Sequence, residues 1–84
     1  MYHVEWDPGC FAQFDAIVAS GVSLDQLKNV IRHVDAELSV DPMAKAQALS
    51  EGLYKLDVLI VRVYFHVDNT TRVATVDAVR WIGC

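Results

Sequence analysis

Apolar residues recur along this chain at two different periods, and the change from one to the other divides it into elements. Tyr2, Val4 and Trp6 alternate with His3 and Glu5, which predicts a half-buried strand over 2–6. Asp7-Pro8 ends it. Asp7 is a good N-cap, and a proline at the first helical position gives up an N–H that would be unpaired anyway. Phe11, Phe14, Ile17 and Val18 then recur at helical spacing as far as Ser20-Gly21, predicting a helix over 8–20. Ser23 with Gln26 three residues on is a capping box that opens a second helix. Its apolar stripe is Leu27, Val30, Ile31, Val34 and Leu38, with Asp25, Lys28, Arg32, Asp35 and Glu37 on the other side. Asp41-Pro42 closes it, because a residue before proline avoids the α region. Two such helices joined by a short connection read as an αα-hairpin.

The alanine-rich stretch from Met43 to Glu51 fits a loop with one helical turn, and its pattern selects no element firmly. After Gly52 the period becomes two, with β-branched and aromatic residues dominating 53–57, 60–68 and 72–81. The short connections, one of them Asp68-Asn69-Thr70-Thr71, predict an antiparallel meander. In its middle strand Val61, Val63, Phe65 and Val67 share one face, which must meet the helices. Arg62, Tyr64, His66 and Asp68 therefore share the opposite, outward face. In the last strand Val73, Val79 and Trp81 fall in one parity with Asp77, and Ala74, Val76 and Ala78 in the other with Arg72 and Arg80. That strand is expected to be central, bulged or covered on both sides. The expectation is a single α+β domain over 1–84, in the order β-α-α-β-β-β, with an antiparallel sheet packed on a helical hairpin.

Composition narrows the function classes. At 84 residues there is room for one core, and 54% hydrophobic residues with a mean hydropathy of +0.26 favour a homodimer or a bound partner over a lone monomer. Asp, Lys, Arg or His interrupts every apolar stretch, so no membrane span is expected, and MYHVEWDPG lacks the features of a signal peptide. A cytoplasmic protein is the expectation. Cys10 and Cys84 form no CxxC pair and read as reduced thiols. His3, Cys10, His33, His66 and Cys84 show no metal-ligand spacing, and no metal or cofactor is expected. A net charge of -4 repels polyanions at long range, so a nucleic-acid target would require a locally basic groove.

Three stretches carry a resemblance to a known family: Val4-Glu5-Trp6-Asp7-Pro8, the Leu38-x-x-Asp41-Pro42 end of the second helix, and Gly52-Leu53-Tyr54-Lys55-Leu56 followed by Val61 to Asp68. With the element order, they make the chain resemble the RelE/ParE superfamily of toxins from type II toxin–antitoxin modules over nearly its whole length. The resemblance implies one of two activities. RelE-like proteins cut mRNA in the ribosomal A site without a metal, and ParE-like proteins inhibit DNA gyrase. Either type is held silent by an antitoxin, a partner that suits the apolar excess.

Metal-free RNA cleavage needs a base near the 2′-hydroxyl, cations on the phosphoryl oxygens and an acid for the leaving oxygen. The RelE-like pattern of a lysine followed seven residues later by an arginine is met by Lys55 and Arg62. The resemblance assigns Arg62 to the phosphate, Lys55 to the phosphate or to base catalysis, and Arg80 approximately to a second phosphate contact. His66 shares the face of Arg62 and its imidazole is a candidate acid or base, and Tyr64 could stack on a base. The departures from the pattern are that Leu53 and Asp57 flank Lys55 in place of further lysines, and that the sequence stops at Cys84 before the tyrosine or histidine acid of RelE-like nucleases. Loss of such an acid is expected to slow cleavage by about 10² to 10⁴. Each residue also has an ordinary structural reading. Arg62 and Arg80 can be cross-strand partners of Asp57 or Asp77, Lys55 a solvated lysine and His66 an outward polar residue. The expectation is a toxin-like component that acts on a macromolecular target, gyrase-type or weakly mRNA-cleaving, and is neutralised by an antitoxin. The alternative is a catalytically silent scaffold of the same fold that works through homodimerisation or partner binding.

Overall fold

The period-two segments assemble into one five-stranded sheet in the computed structural model, which describes residues 1–50 and 52–82. The elements are β1 (His3–Trp6), α1 (Gly9–Ala19), α2 (Leu24–Val40), β2 (Gln47–Ser50), β3 (Leu53–Val58), β4 (Val61–Asp68) and β5 (Val73–Trp81). The strand order across the sheet is β1-β5-β4-β3-β2. Strands β2 to β5 pair antiparallel as a meander, while β1 returns to lie parallel to β5, with His3 opposite Val73 and Trp6 opposite Val76. The sheet is thus mixed, and the parallel pair is made possible by the two helices that carry the chain over one face.

Strand β2 extends the expected order by one strand. Where the sequence suggested a loop with a helical turn, turns over 42–45 lead into an edge strand whose residues are all exposed. Its pairing with β3 shifts register between Ala48 and Ser50. A strand with no buried face leaves no alternation in the sequence; backbone pairing with β3 forms it. Glu51, the last residue of that ambiguous stretch, lies outside the described residues, as does Cys84.

The core forms between the helices and the Val61, Val63 and Phe65 face of β4, each of these residues being fully buried. Leu27, Val30, Val34 and Leu38 of α2 meet it, as the stripe predicts. Ser23 Oγ accepts the Gln26 N–H at 3.1 Å, one half of the expected box. Pro8 rather than Asp7 occupies the N-cap of α1, and the Asp7 carboxylate just before it accepts the Gly9 N–H at 2.8 Å. Helix α1 is rotated from its expected face. Cys10 and Ile17, seven residues apart, are buried, whereas Phe11 and Val18 are exposed. Phe14 sits between, packing on Trp6 with ring centroids 5.6 Å apart. Trp6 in turn donates its indole N–H to Asp35 Oδ1 at 2.8 Å, tying β1 to α2.

The mixed parity of β5 has a single cause. The β4 ladder runs Tyr64 opposite Ala78 and then Phe65 opposite Val76, leaving Asp77 as an extra residue in a bulge. Ala74 and Val76 before it and Val79 after it all reach the core. The Val79 N–H donates to Gln13 Oε1 of α1 at 2.6 Å. Among the described residues no helix is long and apolar enough to cross a membrane.

Candidate functional site

The face of the sheet turned away from the helices is open, and its register sorts the outward side chains into transverse rows. Strands β3, β4 and β5 set Asp57, Arg62 and Arg80 in one row, Lys55, Tyr64 and Ala78 in the next, and Leu53, His66 and Thr75 in a third. Directly opposed residues in such rows hold their Cβ atoms about 4.5–5.5 Å apart. Lys55, Arg62 and Arg80 therefore gather at one end of the face. His66 lies four residues along β4 from Arg62, about 13 Å at the rise of an extended strand.

Arg62 donates from Nε to Asp57 Oδ1 at 2.7 Å and from Nη2 to Asp57 Oδ2 at 3.2 Å. This bidentate pair follows from the hairpin register, since the β3–β4 turn at Leu59 and Ile60 places Asp57 opposite Arg62. Leu59 adopts φ 54°, a left-handed conformation unusual for a non-glycine residue. The hydrogen bond and charge of Arg62 hold the Asp57 carboxyl below its ordinary range, and Asp57 holds the guanidinium still more firmly protonated. The ordinary reading of Arg62 as the cross-strand partner of Asp57 is thus met in the structure. Arg80 differs. It is exposed, faces Arg62, and makes no ion pair among the described residues.

A groove of about 340 Å³ opens beside this row, lined by Lys45, Gln47, Lys55, Leu56, Asp57 and Arg62. Three cations and one carboxylate make it a locally basic hollow on an acidic protein. Lys45, which also reaches Glu37 at 3.6 Å, was not singled out by sequence, because it precedes a strand that the pattern does not reveal. His66 stands two rows away from Arg62. Its Nδ1 contacts the bulged Asp77, which orients the ring at the far end of the face.

His33 and Cys10 lie off this surface. His33 Nδ1 donates to the Asn29 carbonyl at 2.8 Å within α2. Cys10 is a free thiol under the sheet whose pKa is pushed up, first by burial and then by the charges of Asp7 and Asp77. Among the described residues, no group of three His, Cys, Asp or Glu side chains is placed to hold a metal ion.

No family model matches the sequence, and no curated protein matches it. Solved structures do. A chain of the crystal structure of the toxin–antitoxin complex RelBE2 from Mycobacterium tuberculosis aligns at a TM-score of 0.79 and 14% identity, over 95% of this chain and 96% of that one. The isolated RelE toxin of E. coli aligns at 0.69 and 11% identity, over 100% of this chain and 87% of that one. The solution structure of the conserved hypothetical protein HP0892 from Helicobacter pylori aligns at 0.63 and 13% identity, over 94% and 92%. The chain has the α+β fold of RelE-like toxins, and the resemblance read from its sequence holds at the level of fold.

Proposed function

We propose that this protein is the toxin-like component of a type II toxin–antitoxin pair, neutralised by an antitoxin and acting through the open face of its sheet on a macromolecular target. The observation that carries the proposal is the juxtaposition of Arg62 and Arg80 beside the Lys55 groove, on the uncovered face of a RelE-like fold. Cleavage of RNA requires base, acid and phosphate cations around one phosphorus atom. Here His66 lies about 13 Å along β4 from Arg62, and Asp57 already occupies the guanidinium. Those two facts favour a gyrase-type or weakly mRNA-cleaving action over efficient nuclease chemistry. The Asp57 pairing is also the observation that favours the rival reading, a silent scaffold in which Arg62 serves the sheet alone.

Induced expression in a bacterial host separates the two readings. The wild-type protein should arrest growth, and the folded Arg62→Ala/Arg80→Ala variant should not. Unaffected growth at a high level of folded wild-type protein would select the scaffold. Supercoiling by gyrase and cleavage of ribosome-bound mRNA, assayed with purified protein, then assign the target.

A further inference from the structure

We propose that Asp57 is an intramolecular latch on an oxyanion site: its carboxylate fills the Arg62 fork that, with Arg80 and Lys55, would otherwise take a phosphate group. The proposal rests on the reading of the open sheet face as the working surface. Three features of that face support it.

The first is donor geometry. Asp57 is held through Nε and Nη2, the paired donors that a guanidinium also presents to phosphate oxygens, so the two acids compete for one edge of Arg62. The second is charge. Two guanidinium-bearing residues directly opposed on neighbouring strands disfavour each other, and Asp57 relieves that repulsion from one side only. A bound anion between Arg62 and Arg80 would relieve it from both. The third is the exposure of the latch. The Asp57 side chain is 50% exposed, and an ion pair so open to water is weak, so a phosphate can displace it without disturbing the core. The adjoining groove, with Lys45 and Lys55 on its walls, gives the ligand room. A nucleotide base would find Tyr64 in the next row.

Titration of inorganic phosphate and of uridine 5′-monophosphate, followed by NMR shifts, tests the latch. Asp57→Asn should bind both probes on the order of tenfold more tightly than wild type, through loss of the competing pair and of one adjacent negative charge. The gain should vanish in Asp57→Asn/Arg62→Gln and fall in Asp57→Asn/Arg80→Gln. Asp15→Asn, which makes the same change in net charge on the exposed side of α1, should leave binding within about twofold. Asp57→Ser provides a second test of the same position should the asparagine variant misfold. Equal affinity of folded Asp57 variants and wild type, an equal gain in Asp15→Asn, or a gain that survives removal of Arg62 would each overturn the latch. Growth arrest is not the readout, so failure here is distinct from failure of the toxin reading.

Discussion

Removing Asp77 altogether should leave the fold standing. In a strand without a bulge, deleting one residue sends every later side chain to the opposite face. Here the deletion takes out the extra residue itself. Ala74 and Val76 would face inward, Ala78 outward, Val79 inward and Arg80 outward, in unbroken alternation and with the partners they already have on β4. The costs and gains are small. The His66–Asp77 contact is lost, but with side chains 56% and 34% exposed it contributes about 0–1 kcal/mol. A more regular ladder recovers about as much, since a hydrogen bond adds roughly 0.5–1.5 kcal/mol net. Stability should therefore stay within about 1 kcal/mol of wild type. Deleting Tyr64 from β4 is the contrasting case. It would set Val61 and Val63 against Phe65, all fully buried, and forfeit the burial of at least one large side chain, about 1.5–3 kcal/mol, together with the packing around it. Urea unfolding followed by tryptophan fluorescence, with backbone NMR to confirm register, compares the two deletions. If loss of Asp77 proves as damaging as loss of Tyr64, the bulge is not what reconciles the two parities of β5.

Two further predictions concern stability. Arg62 lowers the Asp57 carboxyl, and the Thr71 and Thr70 amides lower that of Asp68, so the folded state binds protons on these groups less readily than the unfolded chain. Their contribution is complete above the unfolded carboxylate value of about 4 and is lost as pH falls through the folded values. The melting temperature should hold steady down to about pH 5 and then fall, and Asp57→Asn/Asp68→Asn should flatten that acid limb, as read by thermal unfolding across pH. Trp6→Phe removes the donor to Asp35 and should cost about 1–2 kcal/mol. In a double-mutant cycle with Asp35→Ala, the two losses should be clearly sub-additive; full additivity would show that the bond contributes nothing.

The parts of this structure that were legible from sequence are those in which burial imposes a period. The α2 stripe and the β4 alternation each face a core, so Leu38 and Phe65 could be placed before any coordinate was known. Strand β2 faces no core and could not. The face that α1 turns inward goes with the packing of Trp6 on Phe14, a tertiary contact, and so Cys10 was not foreseen as its buried anchor in preference to Phe11. At the candidate site, the outward placement of Arg62, Tyr64 and His66 was legible from parity, whereas the choice of Asp57 over Asp77 as the partner of Arg62 is fixed by the β3–β4 register. The groove was not. It needs Lys45 and Gln47, which the undetected edge strand brings alongside Lys55. The bulge left a trace, in the parity change at Asp77, but nothing in the pattern identified Gln13 as the acceptor for Val79.

The parallel pairing of β1 with β5 has a consequence for folding. His3 to Trp6 find their backbone partners in Val73 to Val76, on the far side of both helices and three strands in the chain. Closing a loop of that span carries an entropic penalty that only late contacts can offset. Local hairpin pairing of β3, β4 and β5 therefore precedes the docking of β1, and β5, flanked by β4 and β1, gains its second neighbour late in assembly.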